Sequence, residues 1–97
     1  MRIVGGRWRG RRLASVGAGD AGAHLRPTTD RVREAIFNLL AHGGYGDILT
    51  DARVLDVFAG TGALGLEAVS RGAASVTFLE QGRRSLAILR ENVTLLD

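Results

Sequence analysis

Three groups of residues in this chain have the types and spacing to do chemistry. The run Gly60-Thr61-Gly62-Ala63-Leu64-Gly65 places glycines at its first, third and sixth positions. Glycines so spaced, between a strand and a helix, let a nucleoside-containing ligand lie directly against backbone. Two carboxylates flank the run. Asp56 precedes Gly60 by four positions, inside the apolar stretch Val54-Leu55-Asp56-Val57-Phe58, and Glu80 follows Gly60 by 20. An acid at the second of these places can accept both hydroxyls of a ribose. The third group is Arg7-Trp8-Arg9-Gly10-Arg11-Arg12, four arginines around one tryptophan. Guanidiniums neutralise phosphates and an indole stacks on bases, so this group suits a nucleic-acid strand.

Asp56 narrows the choice of ligand. A dinucleotide's pyrophosphate wants free backbone amides and no anion nearby. S-adenosylmethionine carries an ammonium and a sulfonium and no phosphate, so an acid beneath the loop attracts it and repels the other. Glu80 selects a nucleoside without choosing between the two, because NAD-binding domains place an acid there as well. Asp56, Gly60, Gly62 and Glu80 together point to a class I adenosylmethionine-dependent methyltransferase. An NAD(P)-linked oxidoreductase and a non-catalytic RNA-binding module stay open beside it. Each residue also has a plainer use: Asp56 capping a loop amide, Glu80 solvated at a strand end, Trp8 packed against the body. The chain has no cysteine, which removes thiolate zinc sites, disulfides and cysteine nucleophiles. His24 and His42 stand alone, so no metal is expected.

These residues need elements to hold them. Residues 2–13 read as two short strands of a hairpin with glycine turns, and residues 14–25 as a Gly/Ala/Ser-rich connector. Pro27-Thr28-Thr29-Asp30 starts a helix whose face is Val32, Ala35, Ile36, Leu39 and Leu40, and Gly43-Gly44 ends it. Strands follow at 53–58 and 75–80, separated by a helix over 63–71 that Gly72 closes. Gly82-Arg83 opens a last helix with Leu86, Leu89, Val93 and Leu96 as its core stripe. Glu67, on the middle helix, reads as a solvated or capping acid. This order predicts an α/β chain with parallel strands and a crossover helix. Two strands with helices leave part of the sheet uncovered, so an exposed apolar patch is expected. The division predicted is a basic hairpin arm and linker over 1–25, and the start of a cofactor-binding domain over 26–97.

Composition agrees with an ordinary globular domain. The chain has 97 residues, 45% hydrophobic and 24% charged. No apolar run approaches the ~20 residues of a membrane span, and no secretory leader is visible, so a cytoplasmic location is expected. Charge is unevenly distributed: residues 1–33 hold eight arginines against Asp20 and Asp30, whereas residues 34–97 hold five against eight acids. A basic segment on a mildly acidic body is the pattern of a nucleic-acid-facing appendage.

Three blocks resemble a known family. They are Arg2-Ile3-Val4-Gly5-Gly6 with Trp8-Arg9-Gly10-Arg11-Arg12-Leu13, then Leu25-Arg26-Pro27-Thr28-Thr29-Asp30-Arg31-Val32-Arg33-Glu34-Ala35-Ile36-Phe37-Asn38, then Leu55 through Ala68. Together they resemble the bacterial small-subunit ribosomal RNA guanine-N2 methyltransferases of the RsmD type. The resemblance implies the N-terminal part of a Rossmann-like class I methyltransferase fold behind a β-hairpin arm. It also implies methyl transfer from S-adenosylmethionine to the exocyclic amine of a guanine in 16S rRNA, free or in the small ribosomal subunit. Asp56, Phe58, Ala59, Gly60, Gly62 and Glu80 would then line the cofactor pocket. Arg26, Thr28, Thr29 and Arg31 would lie near the methionine end, and the segment around Trp8 would grip RNA. The family's Asp/Asn-Pro-Pro-aromatic motif, which orients the target amine, has no counterpart here, since Pro27 is the sole proline. The chain therefore reads as the N-terminal half of a longer enzyme, with its catalytic motif expected beyond Asp97.

Overall fold

The computed structural model describes residues 1–15 and 29–96. Within them the order is helix α1 (Asp30–His42), strand β1 (Arg53–Val57), helix α2 (Ala63–Ser70), strand β2 (Ser75–Leu79) and helix α3 (Arg83–Leu96). Thr29 starts α1 by accepting the Val32 N–H on its hydroxyl at 3.2 Å, with Asp30 in the positive first turn. Gly43 ends it, donating its N–H to the Leu39 carbonyl at 2.8 Å. The two strands pair in parallel from Arg53↔Ser75 to Val57↔Leu79, and α2 makes the crossover. The connector that carries Arg26 and Thr28 lies outside the described residues.

Alternation along the strands separates the two sheet faces. Val54, Asp56, Val76 and Phe78 are half-buried on one face, where the Gly65 backbone of α2 comes against Asp56, Val76 and Phe78. Arg53, Leu55, Val57, Ser75, Thr77 and Leu79 are exposed on the other. The expected apolar patch is thus present as Leu55, Val57 and Leu79. Helix α2 is buried along most of its length, because it lies between the sheet, α1 and the N-terminal segment.

Three expectations about facing need correction. The first thirteen residues form a turn-rich loop closed by a single antiparallel bridge, Arg2↔Arg12, rather than two strands. Gly6 and Gly10, both at positive φ, divert the chain into turns before a ladder can extend. This loop is docked against the helices. Ile3 and Leu13 share a core with Ala63, Leu66 and Leu96, and Trp8 packs against it. Helix α1 buries Arg33 and Phe37 instead of Val32, Ala35, Ile36 and Leu39, which are exposed. Phe37 meets Ala68 and Ala73, and Arg33 turns inward toward a buried acid. Helix α3 buries Leu89 and Leu96 as expected, but its inner face also takes Ser85, Ile88 and Asn92, while Val93 is exposed.

The acid that turns α1 is Glu67, which is fully buried at 0% exposure rather than solvated. Its Oε1 accepts the Val4 N–H at 2.9 Å and Arg33 Nε at 3.2 Å; its Oε2 accepts the Gly5 N–H and Arg71 Nε, each at 2.8 Å. Arg33, equally buried, also donates to Asp30 at 2.7 Å and to the Arg2 carbonyl. Burial alone would push the Glu67 carboxyl up. The hydrogen bonds from Arg71, Val4, Gly5 and Arg33 outweigh it and hold the group below its ordinary value of 4.5. Removing this carboxylate takes a buried anionic partner from Arg33 and leaves two backbone amides unpaired. Glu67→Ala is therefore expected to cost about 3–5 kcal/mol, read as a lowered urea midpoint. A depressed carboxyl stabilises the fold above its unfolded value and ceases to do so as the proton returns. Wild-type stability should accordingly fall as pH drops below about 4.5, and Glu67→Gln, already weaker at neutral pH, should show a flatter acid limb.

Candidate functional site

The glycine run sits where the carboxyl ends of β1 and β2 meet the start of α2. Gly62 is the residue before the helix, at φ +84° in the left-handed region. A Cβ there would lie 2.2 Å from the Leu89 side chain, so both its backbone angle and its neighbour demand glycine. A Cβ on Gly65 would meet Phe78 at 2.6 Å and Val76 at 2.7 Å, which explains how α2 comes so close to the sheet. Phe58, just past β1, also holds a positive φ of 58° and is 83% exposed. A phenylalanine in that region is a strained outlier, the kind that gathers at ligand sites.

Both flanking carboxylates hold loop amides. Glu80 Oε1 accepts the Gly60 N–H and its Oε2 accepts the Gly82 N–H, each at 2.8 Å. Glu80 thus ties the β1–α2 turn to the β2–α3 turn. Asp56 Oδ2 accepts the Gly65 N–H at 3.1 Å, in the first turn of α2. Burial raises the Asp56 carboxyl above its ordinary 3.8; the Gly65 amide pulls it back, and the charge of Glu80 pushes it up again. Beside these carboxylates opens a cleft of about 430 Å³ lined by Val57, Phe58, Phe78, Leu79, Glu80 and Gln81.

Of the residues singled out for the cofactor, Phe58 and Glu80 line this cleft, with Ala59 and Gly60 in the adjoining turn. The Ala59 N–H donates to the Leu79 carbonyl at 3.0 Å, which holds that turn against the end of β2. Asp56 lies on the face toward α2 and does not line the cleft. Thr29 serves as the α1 cap, and Arg31 is exposed on the first turn of α1; neither borders the cleft. In the N-terminal segment Arg7 stacks over the Trp8 ring at 4.4 Å, while the Trp8 backbone N–H donates to Ser70 Oγ at 3.0 Å. Trp8 thus packs on the body and still carries a guanidinium. Arg9 and Arg12 are exposed, and Arg11 donates to the Leu95 carbonyl at 2.7 Å. Sequence reasoning passed over Gln81, Arg33 and Asn92. Gln81 follows Glu80 directly, and the Arg33–Phe37 spacing of four marks the true inner face of α1.

Among the described residues, no helix is long and apolar enough to cross a membrane, and no cluster of three metal-ligating side chains occurs. The model of the family described as "Conserved hypothetical protein 95" matches residues 1–97. The chain is 49% identical over 96 residues to "Ribosomal RNA small subunit methyltransferase D" of Escherichia coli K12, covering 99% of this chain and 44% of that protein. It is 42% identical to the protein of the same name from Haemophilus influenzae, covering 99% and 45%. A solved methyltransferase structure from Escherichia coli superposes with a TM-score of 0.75 at 46% identity, over 99% of this chain and 46% of that one. The chain thus spans less than half the length of these relatives, and its α/β architecture is the N-terminal part of a class I methyltransferase fold. By sequence over its whole length and by fold, the chain belongs to the Conserved hypothetical protein 95 family, that of the RsmD-type methyltransferases.

Proposed function

We propose that this chain is the cofactor-binding part of an S-adenosylmethionine-dependent methyltransferase. Its acceptor, by its relatives' names and the family resemblance, is the exocyclic N2 amine of a guanine in 16S rRNA, in the cytoplasm. The observation that carries the reading is the use of the loop amides. The Gly60 and Gly65 N–H groups, which a pyrophosphate would need, are already held by Glu80 and Asp56. An NAD(P) reading therefore loses its phosphate cradle and meets two anions instead. A cationic nucleoside suits the same site.

The residues present fit such a ligand. A cleft of about 430 Å³ is within the usual range for small-molecule sites, with apolar walls and few polar groups. Glu80 has two oxygens with about four lone pairs, of which two are used on amides, leaving capacity for a ribose diol. Val57, Phe58 and Leu79 would flank the base, and the bare backbone of Gly60 and Gly62 would let it approach. Asp56 would contribute negative potential from beneath. When bound, the cofactor supplies a methyl group activated on a sulfonium. The protein's part is to hold and orient it, and to shield it from water. The exposed Arg7, Arg9 and Arg12, with Trp8 as a rigid base beneath Arg7, would neutralise RNA phosphates next to this body.

Calorimetric titration tests the reading. Adenosylmethionine should bind the chain and NADH should not compete; Glu80→Gln should weaken adenosylmethionine by about tenfold or more, the loss of a charge-assisted contact. Binding of NADH without adenosylmethionine would reverse the assignment. The pH dependence has a definite sign. A carboxyl raised in the folded protein holds its proton longer, and a cationic ligand favours its ionised form. Affinity for adenosylmethionine should rise with pH through the range just above 3.8, with Asp56→Asn showing a smaller rise. The demethylated thioether product, which lacks the sulfonium, should depend less on Asp56.

A further inference from the structure

Asn92 is fully buried at 0% exposure on α3, and its side chain hydrogen-bonds to backbone of two other segments. Its Nδ2 donates to the Thr61 carbonyl at 2.8 Å, inside the glycine run, and to the Ala14 carbonyl at 2.9 Å. Its Oδ1 accepts the Ala14 N–H at 2.6 Å. A carboxamide is the side-chain group that offers two donors and an acceptor at once. One turn earlier on the same helix, Leu89 fills the space that a Cβ on Gly62 would need. Helix α3 is therefore registered against the glycine run at two successive residues, Thr61 and Gly62. The same helix face closes the N-terminal segment at Ala14.

We infer that Asn92 is a positioning residue that links the cofactor turn to the basic N-terminal segment. Thr61 is 3% exposed, so a shift of its carbonyl away from Asn92 leaves a buried donor without its partner. The same amide group holds Ala14, so any change in the turn is felt where the segment docks. Ordering the turn around a ligand therefore tightens the segment that presents Arg7, Trp8 and Arg9. By reciprocity, a polyanion that fixes the segment tightens the turn. A second tie, Glu67 to Val4 and Gly5, holds the opposite end of the segment and does not touch the turn. It supplies an internal control.

The inference rests on the cleft taking adenosylmethionine, and the test separates the two. Amide hydrogen exchange of the 97-residue chain is followed by NMR with and without saturating adenosylmethionine. The Ala14 amide should slow about fivefold or more, a typical size for coupling between sites, while Val4 and Gly5 change by less than about twofold. Asn92→Asp, which removes both donors in nearly the same shape, should bind adenosylmethionine about fivefold more weakly. It should also lose the selective protection of Ala14. Equal slowing at all three amides would mean general tightening and would overturn the inference, as would no slowing at Ala14 in a protein that binds. Retained selective protection in Asn92→Asp would do the same. If that variant does not fold, the wild-type exchange pattern decides alone. Absence of adenosylmethionine binding to the wild-type chain would instead overturn both the cofactor reading and this link.

Discussion

A carboxylate with no access to water can stay charged only if its surroundings replace the water completely. Glu67 meets that condition with two guanidiniums and two backbone amides, and the placement of the other elements follows from it. Isolated buried charges cost several kcal/mol each, so a half-made version of this cluster would be worse than none. The cluster therefore forms as a unit. Arg33 comes from α1, Arg71 from the end of α2, and Val4 and Gly5 from the N-terminal segment. Arg33 extends the cluster to Asp30 and to the Arg2 carbonyl, so the start of α1 and the start of the chain are joined as well. A residue of hydrophobic character at position 67 would pack α2 on the sheet equally well. It would not specify where the segment and α1 sit.

Much of the framework around the candidate site is legible in the sequence, and for simple reasons. The glycine run stands between an apolar β-branched stretch and a helix, and the strand, turn and helix occur there. The Thr29 cap and the Gly43 stop rest on local backbone chemistry, which does not need the rest of the chain. The uncovered sheet face follows from counting strands. Facing is a different matter. Apolar periodicity selects Val32, Ile36 and Leu39 as the inner side of α1, yet Arg33 and Phe37 are inside. Periodicity assumes that apolar residues compete only with one another for the interior. A buried acid on the next helix adds a polar competitor that outranks a leucine. The same holds for α3, where Asn92 is drawn in by three backbone groups and Val93 turns out. Glu67 reads as a surface acid because all its partners but Arg71 lie 34 or more than 60 positions away. No local pattern carries that information.

The N-terminal segment shows how an arginine-rich surface and a packing feature can be one object. Ile3 and Leu13 belong to the core with Leu66 and Leu96, so the segment is docked rather than trailing. Its turns at Gly6 and Gly10 bring Arg7, Arg9, Arg11 and Arg12 to the surface around a tryptophan that is itself held by Ser70. Rigid placement matters for arginine, whose side chain otherwise surrenders rotamer freedom with each contact it makes. Arg7, stacked on the indole at 4.4 Å, has given up part of that freedom already. Arg11, bonded to the Leu95 carbonyl, has its guanidinium oriented by the last turn of α3.

Glu67 and Asp56 illustrate how surroundings move two carboxyls in opposite directions. Glu67 is matched by cations, and its carboxyl is held low; nothing further is needed to satisfy it. Asp56 is met by the Gly65 amide and by the field of a second acid, and its carboxyl is held high. Glu80 stands at the cleft wall, each of its oxygens accepting a loop amide, from Gly60 and from Gly82. A site whose charges are left unbalanced stores potential that a ligand of opposite sign can release, which is why perturbed acids mark functional sites. On the proposed reading, a cationic ligand would be attracted by both acids. The phosphates of a dinucleotide would add to their repulsion while finding the loop amides occupied. The occupied amides and the negative field thus support the proposed ligand class from two directions.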